Sequence, residues 1–165
     1  MSAPFKIQRL LKAPRQLVWE VLTDPKHLAN WFGPKGCRST HSELDFREGG
    51  SYHYCIVTAD GTEMWGLQSF REIRAPERIV LVQQFSDAKR GVTTHPMAPA
   101  WPRFTLSTTT LTEQGAQTLY ALEWAAHEAT AEEQALFDAS HAGMTGGWSG
   151  SMDQLEDYLS LLQTT

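Results

Sequence analysis

The sequence predicts an α+β domain in which an antiparallel sheet gathers against one long C-terminal helix. Three observations carry that expectation. First, Gly143 to Leu162 places Trp148, Met152, Leu155, Leu159 and Leu162 at steps of four, three, four and three, one face of an α-helix. Asp153, Gln154, Glu156, Asp157 and Ser160 fall between them and suit a solvated side. Second, the chain from Ser42 to Trp124 is dominated by short β-branched and aromatic runs separated by Gly, Pro and Asp. Third, strands and helices are segregated along the chain, which favours an antiparallel sheet over βαβ units. A helix with one apolar face needs a surface. Strands curving around it supply one, and whether side chains or a ligand fill the space between is the functional question.

The elements follow in order. Phe5 to Leu10 alternates apolar and polar residues, as a half-buried strand does. Pro14 suits the first turn of a helix whose apolar face is Leu17, Val18, Val21 and Leu22, with Trp19 toward its edge. Asp24 caps a second short helix with Pro25 at its first position; it carries His27, Leu28, Trp31 and Phe32 and ends at Gly33-Pro34. A loop with Gly36 and Cys37 leads to a weak strand, Ser42 to Phe46. After Gly49-Gly50 comes a strong strand, Ser51 to Thr58, then an Asp60-Gly61 hairpin turn and a returning strand, Glu63 to Ile73. Ile79 to Phe85 is the next strand, followed by a long loop from Asp87 to Pro102. Arg103 to Thr112 and Thr118 to Trp124 form a last hairpin around Gln114-Gly115. Thr130 with Glu133 three residues on is a capping box that starts another helix. Glu128, Glu132, Glu133 and Asp138 read as its solvated acidic start. Gly143, Gly146, Gly147 and Gly150 read as letting the long helix bend or approach the sheet closely.

Composition bounds the function. The chain has 165 residues, enough for one domain with a real core, and is 41% hydrophobic and 20% charged. A net charge of −5 without a basic run points away from nucleic acid and anionic membranes. No apolar stretch approaches the roughly 20 residues of a membrane span, and the N-terminus has no apolar signal-peptide run. A cytoplasmic location is therefore expected, with Cys37 and Cys55 as free thiols. His27, His41, His53, His95, His127 and His141 show no i, i+3 or i, i+4 pair and no HExxH, so spacing predicts no metal site, and no cofactor is expected. Nucleophile-elbow, P-loop and dinucleotide motifs are absent, so no catalytic residue is assigned.

The order of motifs resembles a known family. Ala13-Pro14 with Val18-Trp19, then Leu22-Thr23-Asp24-Pro25 and Trp31-Phe32-Gly33-Pro34, look like the opening of the family of activators of heat-shock protein 90 ATPase homologues. The similarity continues through Glu48-Gly49-Gly50-Ser51-Tyr52, Asp60-Gly61 and Phe70-Arg71-Glu72-Ile73 with Pro76-Glu77-Arg78. It closes with Trp124, Ala129-Thr130, Glu132, Phe137, Met144, Gly147-Trp148 and Leu155. This family belongs to the START-like (SRPBCC) superfamily. The resemblance spans essentially the whole chain as a single domain. It implies a helix-grip fold, a curved sheet holding the C-terminal helix with a cavity between them.

The candidate pocket residues are Trp31, Phe32, His53, Trp65, Trp101, Tyr120, Leu122, Trp124, Trp148 and Met152. Trp31 and Phe32 suit either a cavity wall or a plug of plain packing. Tyr120, Leu122 and Trp124 share one strand face, assigned to the interior. On Ser51 to Thr58 either Tyr52, Tyr54 and Ile56 or His53, Cys55 and Val57 face inward; His53 is of interest as a polar group able to change charge near neutral pH. The loop around Trp101 is either a lid or a stiffened crossing that covers a core edge. Trp148 and Met152 are expected near the pocket, with Leu155, Leu159 and Leu162 in plain core. Trp148→Ala is expected to cost about 3–5 kcal/mol if the side chain is fully buried.

Three functions compete. The absence of catalytic motifs favours a binding protein for a small hydrophobic molecule, and the resemblance implies lipid-, polyketide- or aromatic-like ligands. An aromatase/cyclase-like enzyme would need acid–base groups, for which His53, Tyr120 and Glu63 are candidates. A chaperone ATPase co-regulator follows from the family name; the extra N-terminal domain of such members is expected to be absent, because the first motif starts near residue 5. A monomer or homodimer is expected.

Overall fold

The computed structural model describes residues 4–32, 36–96 and 98–164. The elements are β1 (Phe5–Leu11), α1 (Arg15–Thr23), α2 (Pro25–Trp31), β2 (Arg38–Leu44), β3 (Ser51–Val57), β4 (Glu63–Arg74), β5 (Arg78–Phe85), β6 (Phe104–Gln114), β7 (Gln117–Ala126), α3 (Ala131–Ala139) and α4 (His141–Gln163). Seven strands form one sheet in the order β1-β7-β6-β5-β4-β3-β2. Every neighbouring pair is antiparallel. This is the expected α+β arrangement of an antiparallel sheet with a long C-terminal helix. The expected helix end at Gly33 and Pro34 lies outside the described residues, as does Met97 of the long loop.

Local chemistry sets the boundaries. The Asp24 carboxylate accepts from the Lys26 backbone N–H, satisfying a donor at the start of α2. Thr130 and Glu133 form the reciprocal capping box of α3. Gly61 takes φ +88° in the β3–β4 turn, a conformation that favours glycine. β2 differs from expectation: it runs from Arg38 to Leu44 rather than from Ser42 to Phe46. Its sequence, RSTHSEL, has almost no apolar residues, because it is an edge strand held by its ladder to β3 and half exposed.

One main core lies between the sheet and the helices, built from Leu11, Val18, Val21, Leu28, Phe70, Leu111, Leu122, Met152, Leu155 and Leu159 with their neighbours. A second cluster centres on Phe5, Phe137 and Met144, with Trp101, Trp124 and Trp148 packed against it. Polar ties seat α4. Arg9 of β1 reaches Asp153 at 2.6 Å and Glu156 at 3.5 Å. His27 Nδ1 and the Tyr158 hydroxyl are 2.6 Å apart, joining α2 to α4. The four glycines of α4 do not serve close approach to the sheet: a Cβ at Gly143, Gly146, Gly147 or Gly150 would have nothing within 4 Å. Glu133 is not part of a solvated run either. It is 7% exposed, and its carboxylate accepts from the backbone N–H groups of Thr130 and Arg103 at 2.9 and 3.1 Å.

Candidate functional site: a cavity under the C-terminal helix

Period-two alternation decides what reaches the concave face of the sheet. Tyr52, Tyr54 and Ile56 of β3, Gln68 and Phe70 of β4, and Ile79, Leu81, Gln83 and Phe85 of β5 point there. So do Ser107 and Thr109 of β6 and Tyr120, Leu122 and Trp124 of β7. Leu22, Leu28, Trp31 and Phe32 close one side from α1 and α2, and Trp148 and Ser151 close the top from α4. Together they line a cavity of about 320 Å³. Among the described residues, its wall contains tyrosine, glutamine, serine and threonine among aromatic and aliphatic groups, and no Asp, Glu, Lys, Arg or His.

Several wall groups are held rigidly. The Trp31 indole N–H donates to the Val21 carbonyl at 3.0 Å, fixing α2 against α1. Phe32 meets Tyr54 edge-on at 5.0 Å and Tyr52 at 5.8 Å, while Tyr52 and Tyr54 stack at 5.0 Å. Trp124 and Trp148 meet edge-to-face at 5.6 Å, where the cavity borders the second cluster. Gly66 lies opposite both Tyr54 and Phe85 in the ladder. A Cβ on Gly66 would overlap Cζ and the hydroxyl of Tyr54 and lie 2.8 Å from Gln83 Nε2. The missing side chain lets Tyr54 lie across β4 with its hydroxyl bonded to the Gln83 side chain. Burial pushes the Tyr54 phenol well above its ordinary pKa, and that of Tyr120 up to about 12. Both are therefore neutral hydrogen-bonding groups at physiological pH.

Of the ten residues singled out from sequence, Trp31, Phe32, Tyr120, Leu122, Trp124 and Trp148 line the cavity. The other four do not. His53 sits on the opposite face of β3, 1% exposed, with its ring stacked on Trp65 at 5.2 Å and Nε2 2.9 Å from the Asp87 carbonyl. Trp65 therefore shares that outer face, its N–H donating to Glu63 at 3.2 Å. Trp101 belongs to the second cluster, 6.0 Å from Trp124 and 5.7 Å from Phe137, so it covers a core edge. Met152 is plain core, 2% exposed. Trp148 is only partly buried, being a cavity wall. Sequence reading left out Gln83, Gln68, Ser107 and Thr109. The available signal was polar residues in phase with apolar ones on the inward face of β4, β5 and β6.

A curved antiparallel sheet covered by a C-terminal helix, with a cavity between them, defines a helix-grip domain of the START-like class. The chain matches the family model described as "Activator of Hsp90 ATPase homolog 1-like protein" over residues 12–160, and it belongs to that family. Solved structures share the fold. A protein from Nitrosomonas europaea is 23% identical, with a TM-score of 0.77 over 99% of this chain and 97% of its own. One from Arthrobacter aurescens is 26% identical, with a TM-score of 0.78 over 96% of this chain and 86% of its own. An AHSA1 protein from Silicibacter pomeroyi is 16% identical, with a TM-score of 0.73 over 96% and 99%. None of the curated proteins compared with the chain matches it. Among the described residues, no helix is long and apolar enough to cross a membrane.

Proposed function

We propose that the chain binds a small, uncharged, largely apolar molecule in the cavity beneath α4. Lipid-, polyketide- and aromatic-like compounds are the candidate classes. The carrying observation is the wall itself: about 320 Å³ of space lined by aromatic rings and neutral hydrogen-bonding groups. Ligand sites run from about 300 Å³ upward and combine apolar walls with a few orienting polar groups. Trp31, Phe32, Leu122, Trp124 and Trp148 supply the apolar contact. Gln68, Gln83, Ser107 and Thr109 supply donors and acceptors without charge. An ionised ligand head would meet no opposite charge among the described residues of this wall, and an unpaired charge out of water is costly. The ligand is therefore neutral, or keeps its charged end outside.

A thermal-shift panel of neutral lipids, polyketides and aromatics tests this reading, with Ser107→Phe as a variant that fills the cavity. Ligands are expected to raise the wild-type Tm and to lose that effect in Ser107→Phe. No shift with any class would refute it.

The cyclase-like reading draws less support. Of its three candidate groups, only Tyr120 lines the cavity; His53 shares the outer face with Trp65, and the Glu63 carboxylate bonds the Trp65 indole there. A phenol titrating near pH 12 can donate a hydrogen bond but is a poor base at neutral pH. The chaperone-regulator reading rests on the family name alone.

A further inference from the structure

We propose that the outer face of β2 and β3 carries a transition-metal site made by His41, Glu43 and His53. One ring nitrogen of each histidine and a Glu43 oxygen lie within 4.8 Å of one another. The ladder brings them together: His41 pairs with Cys55 and Glu43 with His53, so all three side chains stand on one face of two adjacent strands. This arrangement has no signature in sequence spacing, because the two histidines are on different strands.

Their ligand atoms are close enough together to reach one ion. The buried His41 Nε2 lies 2.8 Å from Glu43 Oε1, close enough for an ion pair, and meets no regular hydrogen-bond geometry. Ligand atoms of a tetrahedral zinc site with bonds of about 2.0–2.1 Å stand about 3.3 Å apart, comparable to this separation. Separations of up to 4.8 Å close by side-chain movement of Glu43, which is 55% exposed, and of His41, which is 32% exposed. His53 is the fixed member. Its Nε2 donates to the Asp87 carbonyl at 2.9 Å and leaves Nδ1 as the lone-pair nitrogen, the supporting bond that metal-ligating histidines typically make. Trp65 packs on both rings, 5.2 Å from each, and restrains them.

Two imidazoles and one carboxylate suit Zn²⁺, Ni²⁺ or Cu²⁺ and suit Mg²⁺ or Ca²⁺ poorly. With three protein ligands and the Glu43 side chain 55% exposed, a fourth position is left to water. The opposing charge is Arg90, which pairs with Glu43 Oε2 at 3.1 Å. It holds the carboxylate in place but competes with a cation for it. Asp87 and Glu63 are the nearby acids: Asp87 caps its own loop through the backbone N–H groups of Lys89 and Gly91, and Glu63 bonds Trp65.

Calorimetric titration of tag-free protein with Zn²⁺ at pH 7.5 tests the site. One equivalent is expected, with a Kd of about 10 µM or tighter. His41→Gln and Glu43→Gln should each weaken it about tenfold or more, while Arg90→Gln, which frees the second Glu43 oxygen, should tighten it. Circular dichroism establishes that each variant is folded. If His41→Gln is not, the exposed Glu43→Gln decides the matter alone. Absence of saturable binding up to about 1 mM Zn²⁺, or binding unchanged in Glu43→Gln, would overturn the proposal.

Discussion

Gly66→Ala adds one methyl group at the place where the cavity wall depends on a missing side chain. The backbone there is not in the left-handed region, so alanine introduces no φ strain. Replacing glycine within a strand should by itself stabilise by about 0.5–1 kcal/mol. Against this, the new Cβ overlaps Cζ and the hydroxyl of Tyr54 and comes within 2.8 Å of Gln83 Nε2. Overpacking of this kind costs about 1–3 kcal/mol, and separating Tyr54 from Gln83 costs about 0.5–1.5 kcal/mol more. Contact therefore outweighs propensity, and the net loss is about 0.5–4 kcal/mol. For a domain of this size that lowers Tm by about 2–4 °C per kcal/mol. The displaced ring belongs to the cavity wall, so binding of a neutral dye such as Nile red should fall with stability. Urea denaturation of Gly66→Ala, Tyr54→Leu and the double variant provides the cycle. The double variant should be more stable than the sum of the single effects predicts, since leucine vacates the clashing position. A Gly66→Ala protein at least as stable as wild type, with effects that simply add, would refute the reasoning.

Other outcomes follow from the same wall and its supports. Trp148→Ala should destabilise by about 2–3 kcal/mol, less than for a fully buried tryptophan, because one side of the ring already faces open space; chemical denaturation measures the loss, and larger ligands should be gained. Glu133→Gln should cost about 1–3 kcal/mol near neutral pH by weakening the bonds to Thr130 and Arg103. Those bonds hold the Glu133 carboxyl below the usual range, the Thr130 backbone N–H contributing most. The wild-type advantage is therefore full above about pH 5 and disappears as pH falls through the depressed folded pKa, below about pH 4; stability curves of the two proteins against pH check the sign. Gln83→Leu should leave Tyr54 without its partner, costing about 1 kcal/mol in urea denaturation.

The long helix and the strong strands were legible because each has a periodic pattern that tertiary structure obeys. Tyr120, Leu122 and Trp124 were assigned inward on that basis, and they line the cavity together. β3 was not decidable, and the reason is physical. Segment 86–93 folds over its outer face, with Asp87 bonded to His53 and Thr93 bonded back to Phe85. Both faces of β3 are consequently covered, and alternation loses its meaning there. β2 was misplaced because an edge strand of polar residues has no apolar phase to read. Trp101 could not be placed because its partners, Trp124 and Phe137, come from distant elements. The cluster of His41, Glu43 and His53 needed the strand register, which spacing along the chain does not encode.

The central claim, an uncharged wall selecting an uncharged ligand, is tested most directly by displacement of Nile red with 2-naphthol and 2-naphthoate at neutral pH. The two competitors are nearly equal in size and differ in charge. Neutral 2-naphthol should displace the dye at a concentration at least about tenfold lower, a preference of about 1.4 kcal/mol or more against the ionised carboxylate. Equal or tighter binding of 2-naphthoate would contradict the account.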